Sequence, residues 1–375
     1  MDSVLRRWRY ADYLLLLVLI ALLAYGLALV YSSTFPSTNS DVITFSTFVQ
    51  KQMAYAGAGL LLMILVSCVD YRVFHATAYV LYGASLLLLG VVLVLGHGQA
   101  DYGSQRWIDL RFFPLQPSEL AKPALVVALA RYFSDRRHEI RAFHHFVISF
   151  LIAIPATSLV YMQPDLGTST TYLVIWFLMA FAAGTRFSFL GITVAGALAA
   201  GPILWSMLKD YMRDRITIFL HPESDPFGQG YNIIQSQISI GSGGMFGRGF
   251  LAGTQSQGHF LRIQHSDFIF SVLAEELGFR GAMVLFALFV LLLMRILRAA
   301  SLARDDFGRL VAVGMAMTLL FSISVNVAAN LRLMPVTGIP LPFISYGGTS
   351  LITNLASIGI VQSVLMRRKR FLRPS

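Results

Sequence analysis

Three short stretches put carboxylates where an otherwise greasy chain has little use for them. In "GHFLRIQHSDFIFSVLAEELGF" (258–279), Asp267 follows His265 and Ser266 and stands directly before an apolar helical pattern. A carboxylate there could cap the helix. It could also be a general base at a membrane surface, if a reacting hydroxyl comes within hydrogen-bond reach. Ser266 can do the capping, which leaves Asp267 and its neighbour His265 for chemistry. In "QPSELAKP" (116–123), Glu119 and Lys122 are three apart, so on a helix they share a face and can pair. They read either as a structural ion pair or as one wall of a polar cavity for an anionic or sugar-bearing ligand, since ionisable groups inside spans mark function unless paired or watered. In "QPDLGTS" (163–169), Asp165 and Thr168 stand at a helix start, where capping is an equally good account. If all three stretches lie at one level, Glu119, Asp165 and Asp267 converge on one face.

The elements that must position them are membrane spans. The chain has 375 residues, 56% hydrophobic and 13% charged, where soluble proteins carry about 25% charge. Apolar runs of about 17 to 23 residues, enough to cross a hydrocarbon core of roughly 30 Å, recur throughout. The expected fold is an all-α polytopic membrane protein of about ten spans, at 11–31, 53–69, 76–96, 119–133, 145–163, 168–184, 187–207, 280–298, 308–330 and 348–366. The fourth is the weakest, because it carries charge and a proline. One integral membrane domain over 1–375 is the simplest partition. An even span count puts both termini on one side. "RRWR", "RYFSDRRHEIR", the Arg295–Arg309 segment and "RRKRFLR" then all fall inside by the positive-inside rule. Outside, apart from the long loop, stand only Lys51, Arg106, Arg111 and Arg332. The net charge of +10 is thus topology and attraction to anionic membrane lipids rather than nucleic-acid binding. The first span is too long for a removable signal peptide. Cys68, the single cysteine, excludes an intramolecular disulfide, and no Cys/His cluster suggests a metal site.

Two connections break the pattern. The 97–118 segment is amphipathic and is expected to lie in or re-enter the interface. The 208–266 segment is far longer than an ordinary loop and is expected to be a folded external loop with one or two short helices. Its "GSGGMFGRG" (241–249) lacks phosphate-loop spacing, so its glycines read as turn and close-packing residues. "PVTGIPLPFISYGGTS" (335–350), with three prolines and three glycines, reads either as a tight external loop or as a re-entrant cavity wall containing Ser345. Glu276 and Arg280 are four apart and can pair, and Gly278 is placed to interrupt the helix.

"RWIDL", "QPSELAK", "QPDLGTS", "GTQSQ…QHSDFIFSVLAEELGF" and "PVTGIPLPFISYGG" resemble, in this order, the signature segments of the SEDS family (shape, elongation, division and sporulation). "DPFGQGYNIIQSQISIGSGG" is more like its rod-shape branch than its division branch. The resemblance implies a ten-span peptidoglycan glycosyltransferase that polymerises lipid II on the outer face of the cytoplasmic membrane and releases undecaprenyl pyrophosphate. Its implied partners are a class B penicillin-binding protein (a transpeptidase) and other membrane proteins of the elongation complex. The family's essential aspartate maps onto Asp267 as general base, and its cavity ion pair onto Glu119 and Lys122. The leaving pyrophosphate needs positive charge, from Arg106, Lys122 or a divalent ion, magnesium or manganese. Inversion at the anomeric carbon is also implied. Three positions, in two segments, depart from the family. Arg262 and Ile263 stand where it has proline and glutamate, and Arg332 where it has a small residue, so both arginines could add phosphate contacts. A lipid II flippase and a non-catalytic scaffold are the competing readings.

Overall fold

In lipid every backbone polar group must be satisfied internally, which leaves the helix as the available spanning element for runs like these. The computed structural model describes residues 8, 10–35, 46–96, 106–109, 114–208, 210–226, 228–258, 260–261 and 263–368. Helices α1 (Tyr13–Ser33), α2 (Thr47–Cys68) and α3 (Tyr71–Leu95) lead to a ribbon of β1 (Ile108–Asp109) and β2 (Pro114–Leu115), paired antiparallel. Then come α4 (Pro117–Asp135), α5 (Phe143–Met162), α6 (Leu166–Ala183), α7 (Phe187–Ala199) and α8 (Gly201–Met207). The long loop contains α9 (Asp210–Leu220), a 3-10 turn at Pro222–Ser224, α10 (Gln229–Gly243) and α11 (Thr254–Gln257). The chain closes with α12 (Ile269–Ser301), α13 (Asp306–Asn330) and α14 (Gly348–Met366).

This is the expected all-α polytopic architecture. Among the described residues, eight helices are long and apolar enough to cross a membrane: α1, α2, α3, α5, α6, α12, α13 and α14. The two other expected spans differ for physical reasons. The fourth is a helix of 19 residues, α4, whose Glu119, Lys122, Arg131 and Asp135 hold its hydropathy down. It packs against α3, α13 and α6 inside the bundle. The seventh, 187–207, is jointed at Ala200, before Gly201 and Pro202, into helices of 13 and 7 residues, with Ala200 itself still in the right-handed helical region. Proline restricts the residue before it and cannot donate to the helix ladder. At about 1.5 Å per residue neither half alone crosses a core of roughly 30 Å, but the two in series are long enough to do so.

The centre of the bundle is α13 and α14, buried over 72% and 78% of their apolar windows, against 28% for peripheral α3. The 335–347 loop is packed into this centre, since Ile339, Leu341, Phe343, Ile344 and Ser345 are all buried. Two glycines accept it. A Cβ on Gly26 of α1 would lie 2.5 Å from the Phe343 carbonyl oxygen, and one on Gly167 of α6 would lie 2.5 Å from that of Thr337. Non-helical backbone at this depth is tolerated because protein surrounds it, so the loop is an inserted wall and not an external turn.

Ion pairs gather where α12 ends. Arg295 pairs with Asp12 at 2.6 Å, and Gln362 brackets the Asp12 backbone N–H and C=O at 3.2 Å each. Arg367 pairs with Asp70 at 3.2 Å, and Asp305 accepts from the Tyr71 hydroxyl at 2.7 Å. Asp267 is at the other end of α12.

Candidate active site

Asp267 is set by three elements that meet at the start of α12. The helix begins at Ile269, with Phe268 at the cap position and no side-chain cap. The expected Ser266 cap is therefore absent. Its hydroxyl instead donates to Asp267 Oδ1 at 3.2 Å, and the aspartate is free of capping duty for a different reason. The turn holding it is pinned through its carbonyls. Asn330 Nδ2 donates to the Asp267 carbonyl oxygen at 2.9 Å and Asn326 Nδ2 at 3.3 Å, while Asn326 also reaches the Ile339 carbonyl at 2.9 Å. The Ser345 hydroxyl donates to the Ser266 carbonyl at 2.6 Å, and the Tyr346 N–H to that of His265 at 2.9 Å. Ser345 thus holds backbone. Behind the asparagines, Ser271 donates to Asn330 Oδ1 at 2.6 Å and meets Ser236 of α10 at 2.6 Å, and Ser236 donates to the Asn330 carbonyl at 2.9 Å. All four side chains are buried, so α10, α12 and α13 share one closed polar network beneath the carboxylate.

The long loop is locked to α12 at Gly278, whose φ of 65° and ψ of −163° break the helix. Strap 244–249 exchanges backbone hydrogen bonds with the break. The Phe279 N–H donates to the Gly244 carbonyl at 2.9 Å, and the Arg248 and Gly249 N–H groups donate to those of Glu275 and Glu276 at 3.0 and 2.9 Å. A Cβ on Gly247 would lie 2.1 Å from the Glu276 oxygen, and one on Gly278 would lie 2.2 Å from the Gly247 nitrogen. The glycines are close-packing residues, as their spacing suggests. Glu275 and Glu276 are both buried and used. Glu275 accepts from the Gln255 and Ser256 N–H groups at 2.7 and 2.9 Å, at the start of α11, and Glu276 accepts from the Ser32 hydroxyl at 2.5 Å. The expected Glu276–Arg280 pair does not form. Arg280 lies over the Phe246 ring at 3.9 Å, because the break at Gly278 turns it toward the strap.

The other predicted residues fall into three places. Arg106, at the edge of the ribbon, pairs with Asp165 at 3.3 Å and donates to the Gln163 and Pro164 carbonyls. Asp165 also caps α6, accepting from the Thr168 N–H and hydroxyl at 3.0 Å each. Both act electrostatically on Asp267. Burial raises the pKa of this half-buried carboxyl above the usual aspartate value and Asp165 adds to the rise, while the Ser266 hydroxyl, Arg215 and Arg106 draw it back. Glu119 and Lys122 pair at 2.7 Å, both buried. The space beside them, lined by Thr318, Thr353, Asn354 and Ser357 among others, is about 10 Å³, room for about one water. His265 faces away, on a groove described below. Arg332 reaches Gln237 and the Leu220 carbonyl at 3.4 Å each, which ties it to the long loop. Arg262 and Arg111 lie outside the described residues, and Ile263 adopts a φ of 57°. Among the described residues no group of three His, Cys, Asp or Glu side chains could hold a metal.

Arg215 and the Asn326–Asn330 pair went unread in the sequence. The asparagines did leave a signal, two amide side chains four apart in an apolar span, where polar groups are glue or function.

This fold and site define a family. A family model named for FtsW, RodA and SpoVE, described as cell cycle protein, matches residues 12–370, and the chain belongs to that family. It is 40% identical over 361 residues to the peptidoglycan glycosyltransferase MrdB of Escherichia coli K12, covering 96% of this chain and 95% of the relative. A chain from a solved peptidoglycan synthase complex, one whose subject is the coordination of polymerisation and crosslinking, superposes with TM-score 0.80 at 33% identity, over 96% of this chain and 99% of the other. The rod shape determining protein RodA of Thermus thermophilus superposes with TM-score 0.71 at 31% identity, over 96% and 97%.

Proposed function

We propose that this multi-pass membrane protein is a peptidoglycan glycosyltransferase that polymerises lipid II and releases undecaprenyl pyrophosphate, with Asp267 as general base. One observation carries the catalytic assignment. Asp267 is fixed by its backbone, while its carboxylate accepts only the Ser266 hydroxyl among the described residues. A helix cap or a structural ion pair would have consumed it.

The C4 hydroxyl of one disaccharide unit gives its proton to Asp267 as its oxygen attacks the anomeric carbon of the other. A C–O glycosidic bond forms, the bond from that carbon to the pyrophosphate oxygen breaks, and the electron pair leaves with undecaprenyl pyrophosphate. Arg106 and Arg215 are the cations whose field reaches Asp267, and they are suited to meet the charge that develops. Lys122 is held by Glu119 and serves packing before it serves phosphate. A magnesium or manganese ion fits only as one shared with the pyrophosphate. Asp267 can offer one of the one or two carboxylates magnesium uses beside substrate phosphates, whereas the Asp165 oxygens are engaged by Thr168 and Arg106. When bound, the ion would neutralise the leaving group.

The proposed setting is the cytoplasmic membrane, with both termini in the cytoplasm and Asp267 on the outer face. The likeness to a member of a synthase complex supports a partner synthase, proposed here to be a class B penicillin-binding protein.

The test incubates purified chain and partner with lipid II, wild type beside Asp267→Ala. Glycan strands from wild type and none from the variant are expected. Normal polymerisation by the variant would remove Asp267 from the chemistry. Scrambling of lipid II in liposomes without any polymer would favour the flippase.

A further inference from the structure

On the other side of the Asp267 turn lies a groove of about 370 Å³, walled by the end of α1, the start of α2, Leu261 and residues 263–265. That is within the usual range of about 300–1,000 Å³ for small-molecule sites. Ser33, Thr34, Ser46 and Thr47 bring hydroxyls to it, Gln264 an amide, and Phe48 and His265 bring rings. The rings form a cluster: Phe48 and His265 have centroids 4.6 Å apart, and Tyr346 closes edge-on to both, at 5.2 and 5.5 Å. Phe48 is 39% exposed, so part of its ring is open to a ligand. Thr34 and Ser46 share a hydrogen bond of 2.7 Å, and the Thr47 hydroxyl meets no partner among the described residues.

Charge decides what fits. Among the described lining residues there is no Asp, Glu, Lys or Arg. A pyrophosphate or an anionic headgroup finds no counter-charge among these described lining residues. Its natural place is near Arg106 and Arg215, which act on Asp267. A neutral sugar has what it needs: apolar ring faces to stack on, and hydroxyl donors and acceptors around them. His265 and Asp267 are two residues apart, at most about 7 Å between Cα atoms, so the groove starts beside the reacting centre.

We propose that this groove is a saccharide subsite, in which a neutral N-acetylhexosamine ring of the glycan strand stacks on Phe48 while its next unit reacts at Asp267. This rests on the glycosyltransferase reading and extends it. The subsite retains the strand between additions and so sets product length.

The experiment uses the full chain with its partner, lipid II as substrate, and variants Phe48→Ala and Phe48→Trp, with strand length compared at matched lipid consumption. Phe48→Ala is expected to shorten strands about 2- to 10-fold, the retention lost with one stacked contact, and Phe48→Trp to restore them. Independently, a soluble N-acetylglucosamine tetramer should show saturation transfer from wild type, Phe48→Trp and Asp267→Ala, and little from Phe48→Ala. Unchanged strand length in Phe48→Ala, equal shortening in Phe48→Trp, or undiminished tetramer binding to Phe48→Ala each overturn the subsite. A wild type that binds the tetramer but makes no polymer would keep the subsite and sink the glycosyltransferase reading.

Discussion

Asp267 has a property that separates a base from a cap. Burial raises its pKa above the ordinary carboxylate value, so the folded chain binds its proton more readily than the unfolded chain, whose aspartate titrates near about 3.9. Stability from this group is therefore greatest at low pH and is lost as pH rises through the raised folded value. Above that value the ionised aspartate destabilises the fold, yet general-base chemistry needs that form. Asp267→Asn should then abolish polymerisation and raise the melting temperature at neutral pH, and the wild-type rate should fall as pH drops through a limb above about 4. A variant with a lower melting temperature would make Asp267 a structural residue. At this scale the sequence disclosed the aspartate but not its support. The motif places a carboxylate before a helix, whereas Asn326 and Asn330 reach it from α13, some sixty positions along the chain. Contacts of that separation leave no local spacing to read.

The elements were legible to the extent that lipid dictates them. A long apolar run must be a helix, and the runs at α1 to α3, α5, α6 and α12 to α14 behave so. The seventh run is jointed at Ala200, because Gly201–Pro202 interrupts the helix in a way hydropathy does not disclose. Gly278 was readable as an interruption, but the strap that fills the break was not, because its partners are backbone groups of 244–249 with no side-chain signature. A direct test follows. Gly247 has φ 78°, and a Cβ there would meet the Glu276 carbonyl oxygen at 2.1 Å. Gly247→Ala combines a left-handed alanine with a backbone collision, and a destabilisation of about 1–3 kcal/mol is expected. It should lower both melting temperature and polymerisation, since the strap holds α12 just beyond Asp267. Gly83→Ala is the matched control. Nothing lies within 4 Å of a Cβ there, and alanine favours the helix of α3. Equal behaviour of the two variants would mean the strap does not position the site.

Across the whole molecule, charge is sorted along the axis of α12. Arg295, Asp12, Arg367, Asp70 and Asp305 close one end of the bundle. Asp267 is at the other, beyond the break at Gly278, so 279–301 alone makes the crossing, about 35 Å at 1.5 Å per residue. In the proposed setting the carboxylate then stands above the hydrocarbon, within reach of water and a lipid-linked sugar. The outward orientation proposed above rests on the arginines. Those after α12 and in the α4–α5 connection lie at the ion-paired end, and positive loops stay in the cytoplasm. The expectation is testable with one cysteine at a time in a Cys68→Ser background. Ser224, exposed in the long loop, and Ser301, exposed at the end of α12, are on opposite faces in this arrangement. In spheroplasts a membrane-impermeant maleimide should label Ser224→Cys and spare Ser301→Cys, and permeabilisation should expose the second. The reverse pattern would turn Asp267 toward the cytoplasm. A polymerase there would build its strands on the wrong side of the membrane, so the reversal would dismiss the outward-facing enzyme even if every contact around Asp267 were correct.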